Sequence, residues 1–499
     1  MSTTTAAVTH PTYGNWRRPR RAGLGRFGLV GTIGVFGGLV LTLLASLISL
    51  VAAAFVLVPF AVLLLPLLIR TQDGRNLYQL VMLRVGWLRR KSRGSLSYVS
   101  GPLSQRPGGR FRPPGLLSRV SLAEGRDAYD RPFGVLHHRG RNLYSIVLGC
   151  EPDGGSLVDP DQADVWVASW GEWLARLSHE PALRGASVVV ETAPDPGTRL
   201  ANEVLPRIRP DAPPAARAVM EEVVERYPDA SSEMHTYITL TYGLPQGRKR
   251  DLEEVLTDLA IRIPGLLSGL VGAGGGSAVP LSAERIAEVV RVAYDPAVAG
   301  EVLNVRAQYG SSGLEWEDAG PAACVESVRA YQHDSGVSRT WLLSLAPRGT
   351  VRSNVLRGLL EAAPGTRRKR VALLYRPIDP ATSARIVESD RRAAQFMATS
   401  GKGMVQARAA SETRAAEQTA AEEAAGAGLV EFSLMVTMTV DSTEQLPDAA
   451  VIMRNLQAGA RISMRPADRM QAAAFACTLP AGILPWEHVL IPHELQEAL

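Results

Sequence analysis

Two adjacent histidines, three cysteines, one glycine–lysine run and several paired carboxylates are the residues of this chain whose types could do chemistry. None has the spacing that chemistry requires. Ser400-Gly401-Lys402-Gly403 imitates a phosphate loop, but the upstream glycine and the hydroxyl residue after Lys402 are missing, and the run lies inside a helical pattern. It reads as a helix break. Gly269–Gly276 carries no lysine to reach a phosphate and reads as a flexible loop. His137 and His138 point to opposite faces of a strand, so they cannot chelate one metal together. Cys150, Cys324 and Cys477 are scattered without metal or redox spacing, as buried apolar residues of a reducing compartment would be. Glu221-Glu222, Glu253-Glu254 and Glu422-Glu423 lie in helical contexts and read as solvated faces. No H-E-x-x-H or G-x-S-x-G occurs. The sequence therefore predicts no catalytic, cofactor-binding or metal-ligating residue, and a chain that is not an enzyme.

The informative signal is one of position. From Phe27 to Ile69 there is no Asp, Glu, Lys or Arg, a run of 43 residues. One helix of that length would reach roughly 65 Å, about twice a bilayer's hydrocarbon core, so two helices folded at Ala45–Ser49 are expected to cross a membrane. Arg17, Arg18, Arg20 and Arg21 precede the run, and Arg70, Arg89, Arg90 and Lys91 follow it. Short basic flanks stay on the cytoplasmic side, which puts both termini in the cytoplasm of a two-helix, multi-pass membrane protein. Gly34 and Gly38 form a GxxxG on the first helix, a spacing that lets helices approach closely in lipid.

Charge divides the rest. Residues 1–120 hold 16 Lys and Arg against one acid, whereas residues 121–499 hold 38 basic against 48 acidic residues. The basic segment suits anionic lipid headgroups, at about 1 kcal/mol per residue near the surface. An acidic soluble body argues against direct nucleic-acid binding. The expected domains are a basic N-terminus (1–26), the transmembrane hairpin (27–69), a basic juxtamembrane segment and linker (70–120), and two cytoplasmic α+β subdomains (121–300 and 301–499). In each, strands and helices alternate without a solenoid period, and each is expected to place helices on one face of its own small sheet. The second subdomain repeats the grammar of the first.

The stretch from Glu388 to Trp486 resembles the N-terminal, non-motor domain of conjugation (type IV secretion) ATPases of the CagE/TraC type. The shared pattern is a long charged helix, the strand VEFSLMVTMTV (Val430–Val440), a following helix, and a closing helix MQAAAFACTLPAGILP (Met470–Pro485). That closing helix ends in a Leu-Pro-x-Gly turn, here Leu479, Pro480 and Gly482. The N-terminal hairpin is similar to the two-helix membrane subunits that dock such ATPases, and the whole chain resembles an actinobacterial family of integral membrane proteins associated with them. The motor's phosphate loop is absent from this sequence, so ATP hydrolysis does not carry over. The resemblance implies a scaffold that docks a partner secretion ATPase at the membrane, with the bilayer and further copies of the chain as its other partners. Two rivals are a component E-like membrane protein of type VII secretion and a membrane-bound glycosyltransferase-like enzyme. The latter would use an Asp-x-Asp motif; the one present, Asp159-Pro160-Asp161, suits a helix start.

Overall fold

In the computed structural model the described residues are 11–14, 16, 29–68, 71, 77–102, 104, 110–152, 154, 158–195, 197–230, 232–244, 251–347, 349–400 and 404–488. Two units separate: residues 1–15 with 98–483, and residues 16–97 with 484–499. The second unit contains α1 (Leu29–Ser46), α2 (Leu50–Leu68) and α3 (Leu77–Ser92).

The first unit is built on one sheet. Its opening half runs β1 (Ser97–Val99), β2 (Val120–Arg126), β3 (Pro132–His138), β4 (Leu143–Glu151), α4 (Pro160–Leu177), β5 (Leu183–Pro194), α5 (Thr198–Val204), α6 (Pro214–Ala230), β6 (Ser232–Gly243), α7 (Leu252–Leu270), β7 (Ser277–Pro280), α8 (Ala283–Tyr294) and α9 (Ala299–Tyr309). The closing half runs β8 (Ala323–Glu326), β9 (Tyr331–His333), β10 (Gly336–Leu345), α10 (Arg357–Leu360), β11 (Arg368–Pro377), α11 (Pro380–Ser400), α12 (Met404–Ala424), β12 (Val430–Val440), α13 (Leu446–Gly459), β13 (Ser463–Pro466) and α14 (Gln471–Cys477). The 13 strands among the described residues join one sheet in the order β1-β8-β9-β10-β12-β11-β5-β6-β4-β3-β2, with β13 also on β10 and β7 also on β4.

This order is a palindrome. The succession β3, β4, α4, β5, helical pair, β6, α7, β7, α8 recurs as β9, β10, α10, β11, helical pair, β12, α13, β13, α14. The two copies meet where β5 and β11 pair antiparallel over seven positions, from Lys369–Thr192 to Tyr375–Ala186. Antiparallel pairing of equivalent strands puts a local two-fold axis between them, normal to the sheet.

The expected architecture, a transmembrane hairpin ahead of two α+β subdomains with separate small sheets, is overturned here. The repeat was legible; its closure was not. Two sheets with β5 and β11 as edges would each leave a row of backbone donors and acceptors open, and pairing those strands satisfies both rows. Apolar length does not mark out an N-terminal membrane span either. Among the described residues the one helix long and apolar enough to cross a bilayer is Leu252–Gly275, 24 residues with mean hydropathy 1.4, whereas the apolar pieces Gly34–Ser46 and Leu50–Val62 are shorter. The long helix includes α7, and its stripe Val255, Leu259, Ile263, Leu266 and Leu270 is buried in the body's core. Where the sequence predicts a loop at Gly269–Gly276, α7 ends at Leu270 and a wide turn, Val271–Gly275, follows it, broken at Gly274 (φ +78°), on which Trp166 packs. Before β11 the helical segment is only the short α10, and Val351 ahead of it is taken into a bridge with Tyr13.

Register assigns the two faces of the sheet. Leu434, Leu373, Val188, Ile238 and Leu148 are opposed in turn across β12, β11, β5, β6 and β4, forming one apolar row through both halves. Residues of α4 and α7 pack on this face in one half and residues of α13 in the other. The opposite face carries Ser145, Ser187, Glu191, Thr239, Thr241, Ser338, Thr340, Arg368, Arg370, Thr437 and Thr439, all buried.

Candidate functional site

In the second unit, α1 and α2 are joined by Leu47–Ser49, and the Ser49 hydroxyl accepts from the Ala52 amide at 3.0 Å to start α2. Gly38 is buried against the Phe60 ring; a Cβ there would fall 1.9 Å from Phe60 Cε1. Gly38 is thus a true close-approach residue of the GxxxG pair, while Gly34 is half-buried. Outside that contact the pair presents apolar side chains, with Ile48 and Leu50 84% and 87% exposed and Phe55 77%. Arg89, Arg90 and Lys91 form the last turn of α3, and Arg90 lies 5.5 Å over the Trp87 ring. Arg17, Arg18, Arg20, Arg21 and Arg70 lie outside the described residues, as do Gly401, Lys402 and Gly403.

In the first unit the polar face of the sheet holds a buried charge network that sequence reasoning missed. Arg370 faces Glu191 across the β11–β5 pair, and its Nη1 donates to Glu191 Oε2 at 3.4 Å. Arg368 Nη1 donates to Glu191 Oε1. All three side chains are at least nine-tenths buried. Burial alone would raise the Glu191 carboxyl, but Arg368 and Arg370 outweigh it and hold the group below its ordinary range. Burial pulls the Arg370 guanidinium down to about 10, so it stays charged at neutral pH. Its guanidinium lies 4.6 Å over the Phe475 ring of α14, and Phe475 in turn packs with Tyr294, Tyr331 and His333. The signal that could have located this network is the basic run Arg368-Lys369-Arg370 at the head of an otherwise apolar strand.

His333 is fully buried, and its hydrogen bonds determine its tautomer. The Tyr294 carbonyl at 2.6 Å can only accept, so Nδ1 carries the proton, and Nε2 accepts from the Ser338 hydroxyl at 2.8 Å. Burial is the main cause that depresses this ring to about 3, leaving it neutral.

The Leu-Pro-x-Gly turn covers the same polar face. Leu479 and Ala481 are buried, and Gly482 adopts φ +69° with its α-carbon so close to the sheet that a Cβ would fall 2.0 Å from Ser145 Oγ. Only glycine fits both the conformation and the gap. Gln471, the first residue of α14, and Thr478, just after its end, reach the sheet through the Thr340 amide at 2.8 Å and Thr437 Oγ1 at 2.9 Å, respectively. Leu479, Pro480 and Gly482 therefore act as a lid on the sheet.

The other residues singled out from sequence are placed apart. His137 stacks on Tyr144 at 4.4 Å, while His138 is buried with Nε2 3.2 Å from Ser145 Oγ, so the pair does diverge. The three cysteines are free and buried, and burial pushes the Cys150 and Cys324 thiols up to about 11. Asp159 and Pro160 start α4, with Asp161 in its first turn. Among the described residues, no group of three or more His, Cys, Asp or Glu could hold a metal ion.

No curated protein matches this chain. A family model described as a domain of unknown function, DUF8461, matches residues 20–79, so what the chain shares with that family is the segment that contains α1 and α2.

Proposed function

We propose that this chain is a non-enzymatic scaffold, held at a membrane by its apolar N-terminal helices and docking a partner motor ATPase of a conjugation or type IV secretion-like apparatus. The outward surface of α1 and α2 carries the membrane part of this reading. Phe36, Leu39, Leu43, Leu47, Ile48, Leu50 and Phe55 are each more than half exposed, which in water is an aggregation liability and in lipid is not. The small-residue contact of Gly38 with Phe60 is the kind of packing that holds helices together in hydrocarbon. Arg89, Arg90 and Lys91 supply cations for anionic headgroups, and the basic flanks favour cytoplasmic termini.

The docking part rests on the resemblance between Val430 and Pro485. A positional role is supported by the inward-facing charge network, which is engaged in holding the sheet together. The test is purification of the tagged full-length protein from native membranes after a carbonate wash, with mass spectrometry of what accompanies it. Retention in the washed membrane together with a conjugation-type ATPase is the expected result. Release by carbonate overturns the membrane anchoring. Recovery of type VII components, or of no ATPase, overturns the docking.

A further inference from the structure

Many arginines of the body are held in ion pairs: Arg291 with Asp295 and Asp334, and Arg262 with Glu180 and Asp258. Arg352 and Arg461 are exposed and paired with no carboxylate among the described residues. They line one cleft of about 560 Å3 together with Thr12, Thr350, Asn354 and Asn455, and no Asp or Glu among the described residues lines it. Two other clefts differ in this respect. Glu151 lines one beside Arg131 and Arg285, which pair with Asp127 and Glu288, and Glu388 lines the other between Arg385 and Arg392.

Three local features shape the cleft for an anion. Arg461 follows α13 at φ +54°, a left-handed position where a residue with a Cβ costs about 1 kcal/mol, so its guanidinium is presented there against local preference. Three carbonyls in the last turn of α13, which would repel an anion, are already occupied. The amides of Ala460, Arg461 and Ile462 donate to Leu456, Ala458 and Gln457 at 3.0, 3.2 and 3.1 Å. Tyr13 and Val351 exchange two backbone hydrogen bonds of 2.8 and 2.7 Å, which pins Thr12 and Thr350 at the rim.

We propose that this cleft binds a phosphate group, its oxygens accepting from the guanidinium forks of Arg352 and Arg461 and from the side-chain amides of Asn354 and Asn455. Planar guanidinium donors match the oxygens of phosphate, and the missing carboxylates leave their charge for the ligand. The phosphate belongs to a soluble molecule or to a lipid headgroup, and the two sources are separable by experiment. The proposal does not rest on the scaffold reading, whose membrane part is decided by the carbonate wash.

The full-length protein in non-ionic detergent micelles is titrated with inorganic phosphate at constant ionic strength. In parallel it is reconstituted in nanodiscs of phosphatidylcholine with or without phosphatidylglycerol, and the lipid retained after detergent exchange is measured. Each experiment is repeated on the double variant Arg352→Gln with Arg461→Gly. Arg352 is exposed and glycine relaxes the positive φ, so the variant should unfold no earlier than the wild type. Saturable phosphate binding that weakens at least tenfold in the variant supports the site with a soluble ligand. Retention of phosphatidylglycerol that falls at least tenfold in the variant, without phosphate binding, supports it with a headgroup. Absence of both, or equal binding by the two proteins, overturns the proposal.

Discussion

The two faces of the central sheet differ in what holds their covers down. On one, the row Leu434–Leu373–Val188–Ile238–Leu148 is aliphatic across five strands, and the helices on it are held by apolar area. On the other, three residues along each strand, the row Thr437–Arg370–Glu191–His235 is polar or charged. There α14 and the Leu479–Ile483 turn are held, besides the burial of Phe475 and Leu479, by hydrogen bonds of fixed geometry and by one close backbone approach. Apolar area adds up from many weak contacts and tolerates small changes. A buried polar network does not, because each member lost leaves its partners unpaired. The difference explains why the cover of the polar face ends in Leu-Pro-x-Gly: its last step needs a residue without a side chain.

The sharpest way to break this contrast is Glu191→Ala. It leaves Arg368 and Arg370 buried without their counter-charge and should destabilise the protein by about 3–5 kcal/mol in denaturant unfolding. The triple replacement Glu191→Leu, Arg368→Met and Arg370→Met should recover most of that loss; a triple variant no better than the single one would mean that the network is held by something other than charge pairing. Next in size is Gly482→Ala, where a positive φ combines with a clash on Ser145. A loss of about 2–4 kcal/mol is expected, and a thermal melt unchanged from wild type would show that the lid can lift at little cost.

The polar face should also respond to pH where the apolar face does not. His333 titrates near 3 in the fold against an ordinary 6.5. Below 6.5 the unfolded chain binds a proton that the folded chain cannot, so stability present above pH 6.5 declines as pH falls toward 3, by roughly 1 kcal/mol per unit. Denaturation midpoints at pH 7.5, 6.5 and 5.5 should show this slope, and His333→Gln should flatten it. The smallest effect separates two neighbours. Ile238→Val on the apolar face should cost about 1 kcal/mol. Thr239→Val on the other face removes a buried hydroxyl that has no partner among the described residues, and should be neutral or slightly stabilising by urea melts.

Much of the fold was legible because periodicity reports local burial. The strand Val430–Val440, which is β12, and the repeated alternation of strands and helices were marked by periodicity. The polar face was not legible: no sequence pattern joins Arg368 and Arg370 to Glu191, which β5 brings beside Arg368 from 177 residues away. The cleft of Arg352 and Arg461 was equally hidden, since its walls come from the N-terminal segment, the loop before α10 and the end of α13.

By itself the sequence determined the uncharged run from Phe27 to Ile69, the basic and acidic division of the chain, and the repeated order of strands and helices, because composition and period are local properties. Only the tertiary structure decided that the two repeats share one sheet, since pairing β5 with β11 satisfies backbone groups that either repeat alone would leave open. It also decided the fate of apolar helices that look alike on paper. The stripe of α7 is buried against strands, whereas the outer faces of α1 and α2 are exposed among the described residues, and burial depends on neighbours that lie far away in the chain.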